Sequence, residues 1–310
     1  MSGERSVVVR RGEDQVTEIF LNRPAAMNAL DTATLVLLDR YCTEVGTDPG
    51  VRAVVLWAAG ERAFCAGADL KERAAMSDEQ ILAQRPAFRS AFGALLGMPQ
   101  PVIAAVHGFA LGGGCELALN CDVIVADETA VLGLPETGVG LVPGCGGTQL
   151  LGRRIGPGRA AELIFTGRKV GVEEAEAIGL VDRRVPAGTA REHALDLARR
   201  IAANSPVAVR AAKRALRNGA ALPLGPALDV EDAAWRTAAT SADRREGIAA
   251  FVQKRRPSWS SAWSGRETAA SGPAASGPAA SGPAASGPAA SGSTGGGPSA
   301  AEHEGSSADV

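Results

Sequence analysis

An α/β fold built on a largely parallel sheet is what this sequence predicts, and three observations predict it. Strand-like and helix-like runs alternate through the first half of the chain. The strand-like runs are nearly continuous stretches of Val, Ile, Leu and Ala, the pattern of strands covered on both faces. From about residue 146 onward the pattern turns helical, and such helices must cover either their own sheet or a neighbouring subunit.

Taken in order, Val7, Val8 and Val9 open a strand-like run almost at once, and residues 15–21 read as a strand. Residues 32–45 read as a helix with Asp31 at its N-cap, and 51–58 as a buried strand. Strand, helix, strand implies a crossover between parallel neighbours. After a loop rich in Gly and Ala, 78–96 reads as a helix, and 101–106 as a β-branched strand running directly into a glycine cluster. A short helix over 113–120 and a strand over 123–126 complete the alternation. Helices are then expected at 148–155, 158–165, 172–178, 189–204, 206–218 and 226–251.

With 310 residues, 45% of them hydrophobic, the chain can bury a large core. A net charge of −2 and the lack of a long basic block argue against a dedicated nucleic-acid surface. The longest apolar region, residues 94–119, is broken by Pro99, Gln100, Pro101, His107 and several glycines, so it does not read as a membrane span. No leader-like apolar run with a cleavage site opens the chain, and five cysteines without metal-ligand spacing read as reduced thiols, which together predict a cytoplasmic protein. The expected organisation is an α/β core over 1–200, a helical region over 201–258 and a tail over 264–310. That tail repeats Ala-Ala-Ser-Gly-Pro and has hardly any apolar bulk to offset the entropy of ordering, so disorder is expected there.

Chemistry concentrates in three glycine-rich segments. In 62–71, the small residues Ala66, Gly67 and Ala68 let a ligand approach the backbone, so the Ala68 amide can point into a pocket. In 108–117, Gly113 sits where a strand gives way to a helix, and its N–H is one of the unsatisfied donors of a helix start. Two such donors converging on one oxygen make an oxyanion hole. On spacing alone, these glycines serve tight turns and close helix–strand packing equally well. Glu116, one turn after Gly113, and Glu136, in the Pro/Gly-bounded segment 134–144, shift that balance. Two carboxyls sharing an apolar cavity titrate as a coupled pair, so one can act as base while the other acts as acid.

The segments 62–71, 101–122 and 134–149 resemble, in order, the enoyl-CoA hydratase/isomerase family, also called the crotonase family. Two further matches are Ile19-Phe20-Leu21-Asn22-Arg23-Pro24 with Met27-Asn28-Ala29-Leu30, and the stretch 243–257; the resemblance covers about 6–258. It implies a crotonase-like (ClpP/crotonase) spiral of β-β-α units with a helical carboxy-terminal trimerisation region. It also implies oxyanion-hole amides at Ala68 and Gly113, catalytic glutamates at Glu116 and Glu136, and a substrate-lining stretch at Asp69, Leu70 and Lys71. Isomerases and thioesterases of the family often keep the hole but change a carboxyl, so the retained pair favours hydration of a trans-2-enoyl-CoA to a 3-hydroxyacyl-CoA, in fatty-acid β-oxidation. Glu116 would deprotonate the water and Glu136 protonate the α-carbon. No metal or other cofactor is implied, because CoA arrives as part of the acyl-CoA substrate, and a homotrimer or homohexamer is the expected assembly.

One position departs from the family: Ala25 follows Arg23-Pro24 where a basic residue often assists with CoA phosphates, leaving Lys254 and Arg255 as candidates. The acyl pocket is expected to be set by 72–96. His107, Cys65 and Cys115 read as structural, and Gly144-Cys145-Gly146-Gly147-Thr148 lacks the Lys-Ser/Thr ending of a phosphate loop. The alternatives are an enoyl-CoA isomerase, a hydratase of an amino-acid or aromatic degradation intermediate and, from another class, a non-catalytic acyl-CoA or RNA-binding relative.

Overall fold

The computed structural model describes residues 5–259, so the predicted tail over 264–310 lies outside the described residues. The chain begins with β1 (Val7–Arg11), β2 (Val16–Leu21), α1 (Thr32–Thr47), β3 (Ala53–Ala58), β4 (Ala63–Cys65), α2 (Leu70–Ala74) and α3 (Asp78–Leu96). It continues through β5 (Val102–Val106), β6 (Phe109–Leu111), α4 (Gly113–Leu119), β7 (Val123–Asp127) and β8 (Val131–Gly133). Next come α5 (Gly147–Ile155), α6 (Pro157–Thr166), β9 (Lys169–Gly171), α7 (Val172–Ala177) and β10 (Arg183–Val185). Four helices close it: α8 (Ala190–Ala202), α9 (Pro206–Gly219), α10 (Leu224–Ala239) and α11 (Ala242–Val252).

Two sheets organise these elements. The larger runs β1-β2-β3-β5-β7-β10, parallel except for the β1/β2 pair, and the smaller runs β4-β6-β8-β9. Each turn of the chain gives one strand to each sheet and then a helix, in the order β3-β4-α2, β5-β6-α4 and β7-β8-α5, the last after a 3₁₀ turn at Pro135–Val139. That repeat is the β-β-α spiral. It stacks the ends of β4, β6 and β8 over one another, which is where the glycine-rich segments lie.

The large sheet is covered on both faces because its side chains alternate between them. Val54, Leu56, Val102, Ala104 and Ile124 enter one core, with Leu35 and Leu38 of α1 and Phe88, Phe92 and Leu95 of α3. Ala53, Val55, Ile103, Ala105 and Val125 face the other way, against Ala190, Ala194, Ala198 and Ala202 of α8. Alanine at every fourth position gives α8 a smooth face that lies close on the sheet. Local signals set the ends of the helices: Asp31 accepts from the Thr34 N–H (2.8 Å) to start α1, and Ser77 with Gln80 forms a capping box on α3.

The carboxy-terminal helices dock through charge as well as packing. Lys213 of α9 is buried, with its ammonium on Asp122 (2.7 Å) and donating to the Gln100 carbonyl (2.7 Å), and Arg217 reaches the other oxygen of Asp122 (2.7 Å). The helix expected over 226–251 is two helices, because Ser241 leaves the helical conformation and caps α11 through the Arg244 N–H. Beyond them, α10 and α11 expose Leu224, Leu228, Trp235, Ile248, Phe251 and Val252. Among the described residues no helix is long and apolar enough to cross a membrane.

Candidate active site

The site forms where the end of β4 meets the start of α4. Gly67, at φ 98°, bends the chain after β4, and a Cβ there would stand 2.9 Å from the Leu111 carbonyl oxygen. A Cβ on Gly114 would come within 2.0 Å of the Cys65 carbonyl oxygen, so only glycine lets α4 approach β4 this closely. The approach puts the two predicted amides side by side: the position of a Cβ on Gly113 lies 3.7 Å from the Ala68 nitrogen. Neither N–H donates to any backbone carbonyl among the described residues, and the Gly113 N–H stands at the positive end of α4.

Glu116 follows one turn into α4 and is 3% exposed. Its Oε1 accepts from the N–H of Cys145 (2.5 Å) and of Gly147 (2.8 Å), the first residue of α5. Burial pushes its pKa up; these amides and the nearby Arg85 pull back, and the net direction is upward. Asn120 holds the supporting loop in place, its Nδ2 donating to the Cys145 carbonyl (2.9 Å) and to that of Glu116 (2.8 Å). Arg85 of α3 donates to the Gly144 carbonyl in the space a side chain on Gly144 would occupy.

Glu136 enters from the 3₁₀ turn Pro135–Val139, which is tied down by the Thr137 hydroxyl donating to the Ile164 carbonyl (2.8 Å). Its environment differs from that of Glu116 in one decisive respect: Oε2 is buried with no hydrogen-bond partner among the described residues. Burial, reinforced by the charge of Glu116 and opposed by its own backbone N–H, raises its pKa from 4.5 to about 7. Oε1 lies 3.1 Å from where a Cβ of Gly112 would be, so this carboxyl sits directly over the turn that presents the Gly113 amide.

The structure therefore brings Ala68, Gly113, Glu116 and Glu136 together. It treats the stretch after Ala68 differently. Asp69 caps α2 by accepting from the N–H groups of Lys71 (3.1 Å) and Glu72 (3.3 Å) and pairs with Arg23 (3.1 Å), so its carboxylate is engaged within the protein, while Leu70 and Lys71 are exposed. Burial opposes the charge of Asp69, but these donors together bring its pKa down. Cys65 and Cys115 are buried, their thiols pushed up to about 12 by burial, which keeps them protonated. Burial lowers the pKa of His107, whose carbonyl accepts from the Phe64 N–H (2.9 Å). Arg255 is held by Glu246 (2.6 Å). Arg23, Arg85, Asn120 and the amides of Cys145 and Gly147 escape a reading of the sequence, because only the tertiary fold brings them to the glutamates.

Two open amides beside one buried and one half-buried carboxyl, on a spiral of β-β-α units, define a crotonase-like protein. The model of the enoyl-CoA hydratase/isomerase family matches residues 11–262, and the chain belongs to that family. Among its relatives, the short-chain-enoyl-CoA hydratase of Clostridium acetobutylicum is 39% identical over 82% of this chain and 97% of its own length. The 2,3-dehydroadipyl-CoA hydratase of Escherichia coli is 42% identical over 79% of this chain and 95% of its own. The crystal structure of an enoyl-CoA hydratase from Bacillus anthracis, 44% identical, superposes with a TM-score of 0.81 and covers 83% of this chain and 100% of that one.

Proposed function

We propose that the protein is an enoyl-CoA hydratase, adding water across the 2,3 double bond of a trans-2-enoyl-CoA to give a 3-hydroxyacyl-CoA. One observation carries this reading: the two carboxyls occupy environments that split their roles. Burial raises both, but the amides of Cys145 and Gly147 offset part of that for Glu116 and favour its carboxylate form, whereas Oε2 of Glu136 has no such donor among the described residues and burial holds its proton to about pH 7. Pairs of this kind mark acid and base.

In this mechanism the thioester oxygen accepts from the N–H groups of Ala68 and Gly113. Glu116 takes a proton from water as the water oxygen bonds to C3, and the electron pair of the double bond moves through C2 onto the carbonyl oxygen as enolate charge. The two amides stabilise that charge, a contribution of about 3 kcal/mol per donor in comparable sites. Glu136 then protonates C2. Turnover ends with Glu116 protonated and Glu136 ionised, so a proton must return between them or through solvent. The chemistry of the chain's own residues is complete without a further cofactor, and CoA enters with the substrate.

The test is the product formed from crotonyl-CoA in heavy water. Hydration predicts a 3-hydroxyacyl-CoA with one deuterium at C2, whereas deuterium taken up from solvent at C2 and C4 without gain of oxygen would assign an isomerase instead.

A second reading, a hydratase whose acyl group ends in a carboxylate, is favoured by two guanidiniums. Arg85 lies against Gly144 and Cys145, Arg73 acts electrostatically on the same Cys145 thiol, and among the described residues neither forms an ion pair with a carboxylate. The name of the Escherichia coli relative points to the same class of substrate. A higher kcat/KM for an enoyl-CoA with a terminal carboxylate than for crotonyl-CoA, lost in Arg85→Ala, would select it. Self-association through the apolar faces of α10 and α11, as homotrimer or homohexamer, belongs to the proposal as well, and sedimentation showing a monomer would count against it.

A further inference from the structure

The segment from Asn22 to Leu30 contributes no group to the chemistry above, yet it builds the wall against which Ala68 rests. The Leu30 N–H donates to the Gly67 carbonyl (2.8 Å) and the Asp69 N–H donates to the Leu30 carbonyl (3.0 Å). Ala68, between them, is thereby locked in a parallel bridge with Leu30, its own N–H left without a backbone acceptor among the described residues. The segment is held in turn by Asn28, 1% exposed, whose Nδ2 donates to the carbonyls of Ala59 and Ala63 (both 2.9 Å) and whose Oδ1 accepts from the Arg23 N–H (2.8 Å). Met27 and Asn28 both have left-handed backbone, φ 50° and 54°, which persists in such residues only where the surroundings enforce it.

The Arg23 side chain closes this arrangement. Nη1 donates to the Ala29 carbonyl (2.5 Å), Nη1 and Nη2 both donate to Asp69 Oδ2 (3.1 Å each), and Nη2 pairs with Asp31 Oδ2 (3.0 Å). Asp31 is the N-cap of α1 and Asp69 that of α2. One planar fork thus joins the caps of two helices and the backbone between them, and it separates two carboxylates that would otherwise repel. A lysine can offer charge here but not this set of directions.

We propose that Arg23 is a positioning residue for the oxyanion hole: by clipping Asp31, Asp69 and the Ala29 carbonyl together it fixes Leu30 against Ala68 and so aims the Ala68 N–H. This rests on the hydratase reading for what the amide does. Displacement of a donor by about 1 Å is enough to lower the rate about a hundredfold. Loss of the clip therefore predicts a kcat about ten- to a hundredfold lower, with KM within about threefold because the substrate's remote contacts are untouched.

The experiment binds a para-dialkylamino cinnamoyl-CoA, whose absorbance moves to longer wavelength when its carbonyl oxygen accepts hydrogen bonds, to wild type, Arg23→Lys and Arg23→Met at saturation. Crotonyl-CoA kinetics and thermal melting are recorded for the same samples. The proposal expects a red shift in wild type, most of it lost in Arg23→Met with the drop in kcat, and an intermediate shift in Arg23→Lys. A full red shift and full kcat in Arg23→Met would overturn the positioning role and leave the hydratase reading standing. No red shift in wild type would overturn the oxyanion hole itself, and the proposal with it. Should Arg23→Met not fold, Asp69→Asn, whose amide oxygen still caps α2 while its pairing with Arg23 weakens, is read in the same way: a reduced shift supports the clip, and an unchanged shift with unchanged kcat refutes it.

Discussion

Replacing Glu136 with glutamine is predicted to make the protein more stable while removing its activity, and the gain should depend on pH in a defined direction. The folded carboxyl has a pKa of about 7 against 4.5 in the ordinary state. Because the folded value is the higher one, the folded protein binds the extra proton between these two values. Below about 4.5 the carboxyl is neutral in both states and costs nothing; as pH rises from there to about 7 stability is lost, and above that the loss is complete. The difference of about 2.5 units corresponds to about 3.4 kcal/mol at 1.36 kcal/mol per unit, which partial solvent access reduces to about 2 kcal/mol. Glutamine has no charge to bury. Its amide left without a partner costs the same at any pH, so the pH-dependent part isolates the ionisation. Urea unfolding at pH 5 and pH 8, at fixed protein concentration, should show Glu136→Gln gaining about 1.5 kcal/mol relative to wild type on going to the higher pH, because about a quarter of the loss has already occurred at pH 5, with m unchanged. An equal difference at both pH values, or a variant less favoured at pH 8 than at pH 5, would refute the account of the buried carboxyl. A gain of this kind beside lost turnover is the stability cost of an active-site group.

Other perturbations follow from the same geometry. The hydration kcat/KM should fall as pH rises above about 7, where free Glu136 loses its proton, and the residual rate of Glu136→Gln should lack that fall. Gly147→Ala places a Cβ 2.7 Å from Pro143 Cβ and 3.0 Å from Glu116 Oε1, so kcat should drop about tenfold or more as the base is displaced, measured with crotonyl-CoA. Gly114→Ala would set a Cβ 2.0 Å from the Cys65 carbonyl oxygen, and urea unfolding should show a loss of about 3 kcal/mol or more, or no folded protein. Ala198→Leu, on the smooth face of α8, should cost about 1–3 kcal/mol by overpacking, with kcat almost unchanged.

Most of the larger sheet was legible because its strands from β2 to β7 are five- or six-residue runs rich in apolar residues, as in Ala53–Ala58 and Val102–Val106, whereas its edge strand Arg183–Val185, three residues with two arginines, fell where only helices were expected. The helix Asp78–Leu96 was legible down to both ends despite Pro86 inside it, and the structure adds the Ser77–Gln80 capping box that fixes its start. The second sheet was not. Ala63–Cys65, Phe109–Leu111 and Val131–Gly133 are three residues each, too short for an alternating pattern, and they are strands only because the spiral stacks them. The same reason separates the site into two parts. Glu116 and Gly113 share one helix, so their common face could be read from spacing, Ala68 and Glu136 stood out in the other two glycine-rich segments, and the family resemblance gave the four their roles. The Cys145 and Gly147 amides, Asn120 and Arg23 act through partners distant in sequence, for which local pattern holds no signal. The cap that Asp69 makes on α2 and its ion pair with Arg23 were equally illegible, because the family resemblance marked Asp69 only as part of a substrate-lining stretch.

The need for both glutamates in hydration is tested most directly by the loss of conjugated-thioester absorbance from crotonyl-CoA, with wild type beside Glu116→Gln and Glu136→Gln. The account predicts rapid loss with wild type and loss at least about a hundredfold slower with each variant, the scale of acid–base catalysis. Full activity in either variant would contradict it.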